Sequence, residues 1–436
     1  MRSFNHSRSR QTGHTTRNLP TARETLTTRY GTVRRQSEAL CQPLAPDDYG
    51  LQAMPDVSPA KWHLAHTTWF FETFLLKDFL PGYRPFHPQF EHLFNSYYEQ
   101  VGAPFPRPQR GLLSRPTTGE IFRYRAQVDE AMSALLVSVE EARWPEVAAR
   151  AVLGCHHEEQ HQELLLTDIK YNFSVNPLRP AYGVDLPVTP AGRNTPLEWI
   201  EQPGGMQEIG HDGEGFAFDN ESPRHRVLLA SYALGSRPVT NGEYLEFIEA
   251  GGYRRPEFWL ADGWRCVREK SWQAPLYWEK TDGRWQLFTL AGMCAFNEHE
   301  PVCHVSFYEA DAYARWAGRR LPSEDEWEAI AVHEPVRGNL RETGYLHPVP
   351  AAGDVLPAQI FGDVWEWTRS AYAPYPGYRP AAGALGEYNG KFMVNQLVLR
   401  GGSCVTPADH IRASYRNFFY PADRWQFSGI RLADDR

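Results

Sequence analysis

The sequence predicts a multidomain protein of mixed α and α+β class, a four-helix bundle followed by a loop-rich α+β domain. Three observations predict it. Between residues 21 and 172, long segments carry apolar residues at helical spacing. Beyond residue 195, short β-like runs are separated by Gly, Pro and Asn. The chain also holds 14 Trp and 34 Pro in 436 residues, more than helices alone need and too long a chain for one ordinary core.

Residues 1–20 are rich in Arg, Ser and Thr, lack acidic residues, and are expected to be disordered. The bundle is assigned to residues 21–172. Its first helix runs from Thr21 to about Cys41, where Thr21 and Glu24 form a capping box. A second spans Ser58 to about Leu80, with Ser58 as cap, Pro59 in the first turn, and a broad apolar face from Trp62, Leu64, Ala65, Trp69, Phe70, Phe74 and Leu75. A Pro-rich loop over about 81–116 follows, long enough to suggest a functional role. The third helix covers about Thr118 to Val139 and the fourth Pro145 to Asn172. Residues 173–195, with four X-Pro pairs, read as a linker. In the second domain, 196–436, strands are expected at Trp199-Ile200, Met206–Gly210, His225–Tyr232, Val302–Phe307 and Val398–Arg400, and helices near Asn241–Ala250 and Glu309–Ala317.

Charge and cysteine content exclude several classes. A net charge of −8 gives no reason to expect a nucleic-acid partner or an anionic membrane. No apolar run of 18 residues and no signal-peptide core are found, so no membrane span is expected. The six cysteines are scattered without a CxxC pair, which suits a reduced, cytoplasmic protein.

Chemistry concentrates in the fourth helix, in Cys155-His-His157-Glu158-Glu-Gln160-His161. His157 and His161, four apart, lie on one helical face and can offer two nitrogens to one metal. A third ligand is needed, and Trp62-His63-Leu-Ala-His66 on the second helix supplies two candidates. Each of these alone is equally a helix-packing imidazole. Three neutral imidazoles leave open positions on an octahedral ion, a set suited to Fe(II) and oxygen chemistry. A rival is the zinc hydrolase, because His157-Glu158-Glu-Gln-His161 satisfies HExxH with Glu158 as base. No HxxGxxH extension follows it. A non-enzymatic binding protein is the other class considered. In the long loop, Tyr97 and Tyr98 are candidate proton donors, and Arg107, Arg110 and Arg115 candidate forks for a substrate carboxylate.

Leu64-Ala-His66, Asn95-Ser-Tyr97-Tyr98 and His157-Glu-Glu-Gln160-His161 together resemble the DinB-like helical half of the ergothioneine-biosynthetic sulfoxide synthases. Gly235–Tyr244, Pro301–Phe307, Ala317–Glu328, Phe361–Thr368, Arg400–Cys404 and Gly429–Arg431 resemble the other half, shared with formylglycine-generating enzymes. The resemblance implies a DinB-like four-helix bundle followed by a C-type-lectin-like domain of formylglycine-generating-enzyme type. It implies non-haem Fe(II) on His66, His157 and His161, leaving His63 and His156 structural. The implied reaction joins a cysteine thiol to C2 of the hercynine (Nα-trimethylhistidine) imidazole with O2, giving a sulfoxide. Gln160 matches the position that contacts the substrate imidazole, and Asn417 the one that holds the betaine. Phe418 and Phe419 stand where one branch carries Trp-Asp for γ-glutamyl-cysteine, so free cysteine is expected. The pair Tyr97-Tyr98 is the expected catalytic phenol, as in the cysteine-using branch. Phe418, Phe419 and Tyr420 are also suited to receive a trimethylammonium group. Unmethylated histidine remains an alternative substrate. Cys404 has no following partner cysteine, so formylglycine-generating chemistry is not expected.

Overall fold

The computed structural model describes residues 21–353 and 356–436. The disorder expected of residues 1–20 lies outside them. Four long helices form the N-terminal half: α1 (Ala22–Cys41), α2 (Ala60–Phe71), α5 (Thr118–Ser138) and α6 (Trp144–Ser174). Capping boxes start α1 at Thr21–Glu24 and α5 at Thr117–Glu120. Helix α2 differs from expectation at its start. Its cap is Pro59, and Ser58 instead accepts a hydrogen bond from Arg110 Nη1 at 2.9 Å. Beyond Phe71 the helix continues as a π-helical stretch, Glu72–Leu76, and a last turn, α3 (Lys77–Phe79). The long loop holds α4 (Phe90–Phe94) and a 3-10 turn, Arg107–Leu112.

Helix α6 packs on both α1 and α2. A Cβ at Gly154 would come within 2.4 Å of the Phe71 ring, so only glycine lets α6 and α2 approach this closely. The bundle core is aromatic and aliphatic, with Trp69, Phe70, Phe71, Tyr124 and Leu166 all buried.

The described residues of the second half form four small sheets. One has the order β1 (Trp199–Gln202), β4 (Tyr232–Gly235), β12 (Ala433–Asp435). The first and last strands of this half thus flank β4, Trp199 opposite Gly235 and Ala433 opposite Leu234. The central sheet runs β10 (Asn417–Phe419), β9 (Leu397–Arg400), β8 (Trp365–Ala371), β11 (Ser428–Gly429). The run expected as one strand at His225–Tyr232 divides: β3 (His225–Leu229) pairs with β2 (Gly205–Ile209), and Tyr232 starts β4. Val302–Phe307 is not a named strand. Its Ser306 caps α9 (Phe307–Trp316) through a capping box with Glu309. Three strands, β5 (Trp278–Thr281), β6 (Arg284–Thr289) and β7 (Gly292–Ala295), form a meander that the reading above did not include. Its signal was Asp282-Gly283, both at positive φ, the usual pair for a two-residue hairpin. Helices α7 (Asn241–Glu249), α8 (Ala261–Glu269) and α10 (Glu324–Ala331) complete the domain.

Several motif residues of this half act as scaffold. Arg400 of β9 pairs with Glu324 and Glu328 of α10, each at 2.9 Å, and all three are buried. Arg431 pairs with Glu366 of β8 at 2.7 Å, and Trp327 donates its indole N–H to the same carboxylate at 2.7 Å. Buried charges survive only when paired and hydrogen-bonded, so these groups tie α10, β8, β9 and the C-terminal segment together.

Candidate metal centre

The faces of α6 divide the site's work. His157 and His161 face α2, where they meet His66, and the three rings offer ligand atoms within 4.8 Å of one another. His66 Nε2 and His157 Nε2 lie 3.2 Å apart. Two nitrogens bound at about 2.1 Å and at right angles to one ion stand about 3.0 Å apart, so this spacing fits a shared ion. Burial pushes the pKa of all three imidazoles down, His157 to about 3, with mutual repulsion adding to it for His66 and His161. They are therefore neutral, as ligands must be.

His66 is sandwiched between Trp62 (4.6 Å, 9°) and Trp69 (5.5 Å, 16°). Its Nδ1 lies 2.6 Å from the Phe94 carbonyl, which leaves the Nε2 lone pair for an ion. The other candidate, His63, takes a different place. Its Nδ1 is 2.9 Å from Nδ1 of His161 and its Nε2 3.0 Å from Asp168 Oδ2. His157 packs on Phe70 and on Tyr388, with ring centroids 4.6 and 5.7 Å away. Its Nδ1 is buried without a hydrogen-bond partner among the described residues.

Glu158 points away from the trio. Its carboxylate accepts Arg34 Nη1 at 2.8 Å, Arg125 Nη2 at 3.0 Å and Ser37 Oγ at 2.6 Å. Burial raises its pKa, but Arg34 and Arg125 outweigh that and hold it at about 2. A carboxylate committed to two buried guanidiniums cannot serve as the base that a zinc hydrolase requires at this position.

The third face of α6 meets the second half. Gln160 accepts from the Tyr388 hydroxyl and donates Nε2 to Tyr415 Oη at 2.6 Å. Tyr415 continues to His410 Nε2 at 3.1 Å. His156, Glu159 and His410 form a second cluster, all buried. Its outer side is taken by Arg29, 3.2 Å from Glu159 and 3.1 Å from His156 Nε2, so it is an interdomain ion-pair network. Glu163 accepts Thr406 Oγ1 at 2.6 Å and the Trp365 indole. Tyr388, Tyr415 and His410 carry no local sequence signal, since each lies more than 200 residues from its α6 partner.

Tyr97 and Tyr98 stack at 4.6 Å, and Tyr98 packs on Trp69 at 5.5 Å. Phe392 bridges the halves: it lies 5.0 Å from Tyr97 and 6.1 Å from Phe418. Phe418 stacks on Tyr372 at 4.0 Å, and Phe419 turns to Trp425 at 5.9 Å. Asn417 starts β10, its Oδ1 accepting from Phe418 N at 2.9 Å. Burial raises the pKa of Tyr97, Tyr98 and Tyr388, which keeps all three as O–H donors.

The three arginines are not equivalent. Arg110 is buried, with its guanidinium 3.4 Å over the Trp62 ring that stacks on His66. Its Nε–H is buried without an acceptor among the described residues. Arg107 is exposed and donates to the Asp56 carbonyl. Arg115, also exposed, donates to the Ser114 carbonyl at 3.1 Å.

Comparison with known proteins fits this geometry. Residues 29–165 match the DinB superfamily, and residues 187–345 and 357–436 match the sulfatase-modifying factor enzyme 1-like domain. The hercynine oxygenase of Mycolicibacterium smegmatis is 33% identical over 95% of this chain and 99% of its own. That of Mycobacterium tuberculosis is 32% identical, over 87% of this chain and 92% of its own. The chain belongs to the hercynine oxygenase family. Like other hercynine oxygenases it is an oxidoreductase of ergothioneine biosynthesis, built from a DinB-like helical half and a β-rich half of formylglycine-generating-enzyme type. Ergothioneine biosynthesis protein 1 of Schizosaccharomyces pombe is 29% identical over half of this chain. No helix among the described residues is long and apolar enough to cross a membrane.

Proposed function

We propose that this enzyme joins the thiol of cysteine to C2 of the hercynine imidazole, using O2 and Fe(II) on His66, His157 and His161, to give a sulfoxide. The observation that carries the reading is the neutral three-imidazole set, whose α6 also presents Gln160 to the second half. Held by these three neutral ligands, Fe(II) would keep its full charge, lower the pKa of a thiol and supply the redox chemistry that O2 requires.

The chain's own residues do the remaining work. Gln160, held by Tyr388 and Tyr415, offers an amide to the substrate imidazole. Arg110 is the best-placed fork for the cysteine carboxylate, because it is buried beside the trio with an unused N–H. Arg107 and Arg115 engage backbone carbonyls and serve the loop instead. A trimethylammonium group has no N–H to donate, so aromatic faces must receive it, and Phe418 with Tyr372 and Phe392 supplies them beside Asn417. Phe419 faces Trp425 and offers no carboxylate or amide to a γ-glutamyl amine, which supports free cysteine as the thiol donor. Tyr98, Tyr97 and Tyr388 hold their protons and could each serve as a proton donor to the reaction.

The test is O2 uptake and product mass with anaerobically Fe(II)-loaded protein, cysteine and hercynine. A sulfoxide conjugate is expected. Uptake only with γ-glutamyl-cysteine would overturn the thiol assignment, and uptake with neither thiol would overturn the reaction.

A further inference from the structure

The three histidines of the trio differ in what stands behind them. Asp168 Oδ2 receives the Ser58 backbone N–H at 2.8 Å and lies 3.0 Å from His63 Nε2. Oδ2 accepts at both contacts, which places the hydrogen shared with His63 on its Nε2. A His63 ring with its one hydrogen on Nε2 keeps its lone pair on Nδ1, 2.9 Å from His161 Nδ1. His161 must donate there, which leaves its own lone pair on Nε2. His66 donates Nδ1–H to the neutral Phe94 carbonyl at 2.6 Å. Among the described residues His157 Nδ1 has no acceptor.

We propose that the three ligands are graded: Asp168, acting through His63, makes His161 the strongest and best-oriented donor, His66 follows, and His157 is the weakest. His63 and Asp168 are positioning residues in this scheme, which rests on the trio binding a metal. The physical basis is that a hydrogen bond from a ligand's distal N–H to a charged acceptor fixes the tautomer and raises the ring's basicity. A carboxylate relayed through one imidazole does this more than a carbonyl, and an empty Nδ1 does not do it at all. The site therefore has an anchored side at His161 and His66, whereas His157, packed on Phe70 and Tyr388, lacks an Nδ1 acceptor among the described residues.

The experiment is anaerobic titration of the metal-free full chain with Fe(II), and with Co(II), whose absorption bands report the ligand field. The variants are Asp168→Asn, His63→Leu and His63→Gln. Asp168→Asn and His63→Leu should each weaken binding about 10–100-fold and shift the Co(II) bands. His63→Gln should bind within a few-fold of the parent, because a carboxamide can donate to Asp168 and accept from His161. A purely packing role would instead lower thermal stability and leave affinity and bands unchanged. Parent-like binding by Asp168→Asn, or His63→Gln as weak as His63→Leu, overturns the proposal. If Asp168→Asn does not fold, the two His63 variants decide it alone. If the unsubstituted protein binds neither ion, it is the metal centre itself that fails.

Discussion

Replacing Glu158 separates a structural carboxylate from a catalytic one. In Glu158→Gln, Arg34 and Arg125 lose the charge that each contacts within 3.0 Å, and only Asp129 and the half-exposed Glu38 remain to them. Breaking a buried ion pair from one side costs about 3–5 kcal/mol. The depressed pKa reflects the same ion pairs. A carboxyl held at about 2 against an ordinary 4.5 is worth about 3 kcal/mol at neutral pH. With an unfolding entropy of about 2.1 cal/mol/K per residue, a loss of that size lowers the midpoint by roughly 10 °C if the bundle melts alone and roughly 4 °C if both halves melt together. The sign with pH follows. The folded-state pKa is depressed, so the contribution is full above the unfolded value of 4.5 and is lost as pH falls towards 2. Scanning calorimetry at pH 7 and pH 3 should thus show parent and variant far apart at the first and closer at the second. Metal content and turnover of the folded variant should stay near the parent's. A variant that melts like the parent, keeps its metal and loses all activity would refute this reasoning and restore Glu158 as a base.

Other outcomes are equally specific. Tyr98→Phe should raise cysteine sulfinate relative to sulfoxide if its hydroxyl is the proton donor, whereas the same change in Tyr388→Phe alone would move that role to the phenol packed on His157; product ratios by mass spectrometry distinguish them. Arg110→Ala should raise KM for cysteine by about 10–100-fold, the size of a lost charge-assisted hydrogen bond, with hercynine KM little changed. Steady-state kinetics with each substrate varied would expose a surface role if both constants were unaffected. Gly154→Ala forces a methyl to within 2.4 Å of the Phe71 ring, so stability should fall by about 1–3 kcal/mol and Fe(II) affinity should drop as α2 and α6 separate. Equal affinity would mean that the trio tolerates that shift.

The motifs that carry the family resemblance divide into two kinds once folded. Those of the helical half line the centre. Those of the second half, Arg400, Arg431, Glu324, Glu328 and Glu366, are mostly its buried ion-pair frame. A charged residue in a motif reads alike in either case, because only burial and partners tell a strut from a binding group.

Local signals were enough for what local forces decide. Capping residues and apolar periodicity located α1, α5 and α6, and an i,i+4 spacing put His157 and His161 on one face. The Asp-Gly turn of the β5–β6 hairpin carried a signal of the same local kind, although those strands were not among the expected ones. The tertiary structure decided the rest. His63 and His66 are three residues apart, about 60° around a helix, so packing had to determine which meets the trio and which stands behind it. Arg110 rather than Arg107 or Arg115 is the buried fork because Trp62 provides the face on which it lies. Tyr388, Tyr415 and His410 reach Gln160 and its neighbours only because the second half folds against α6. Sequence by itself determined the long helices of the bundle, the shared face of His157 and His161, and the family; which distant groups surround them follows from long-range packing, which has no period and no local code.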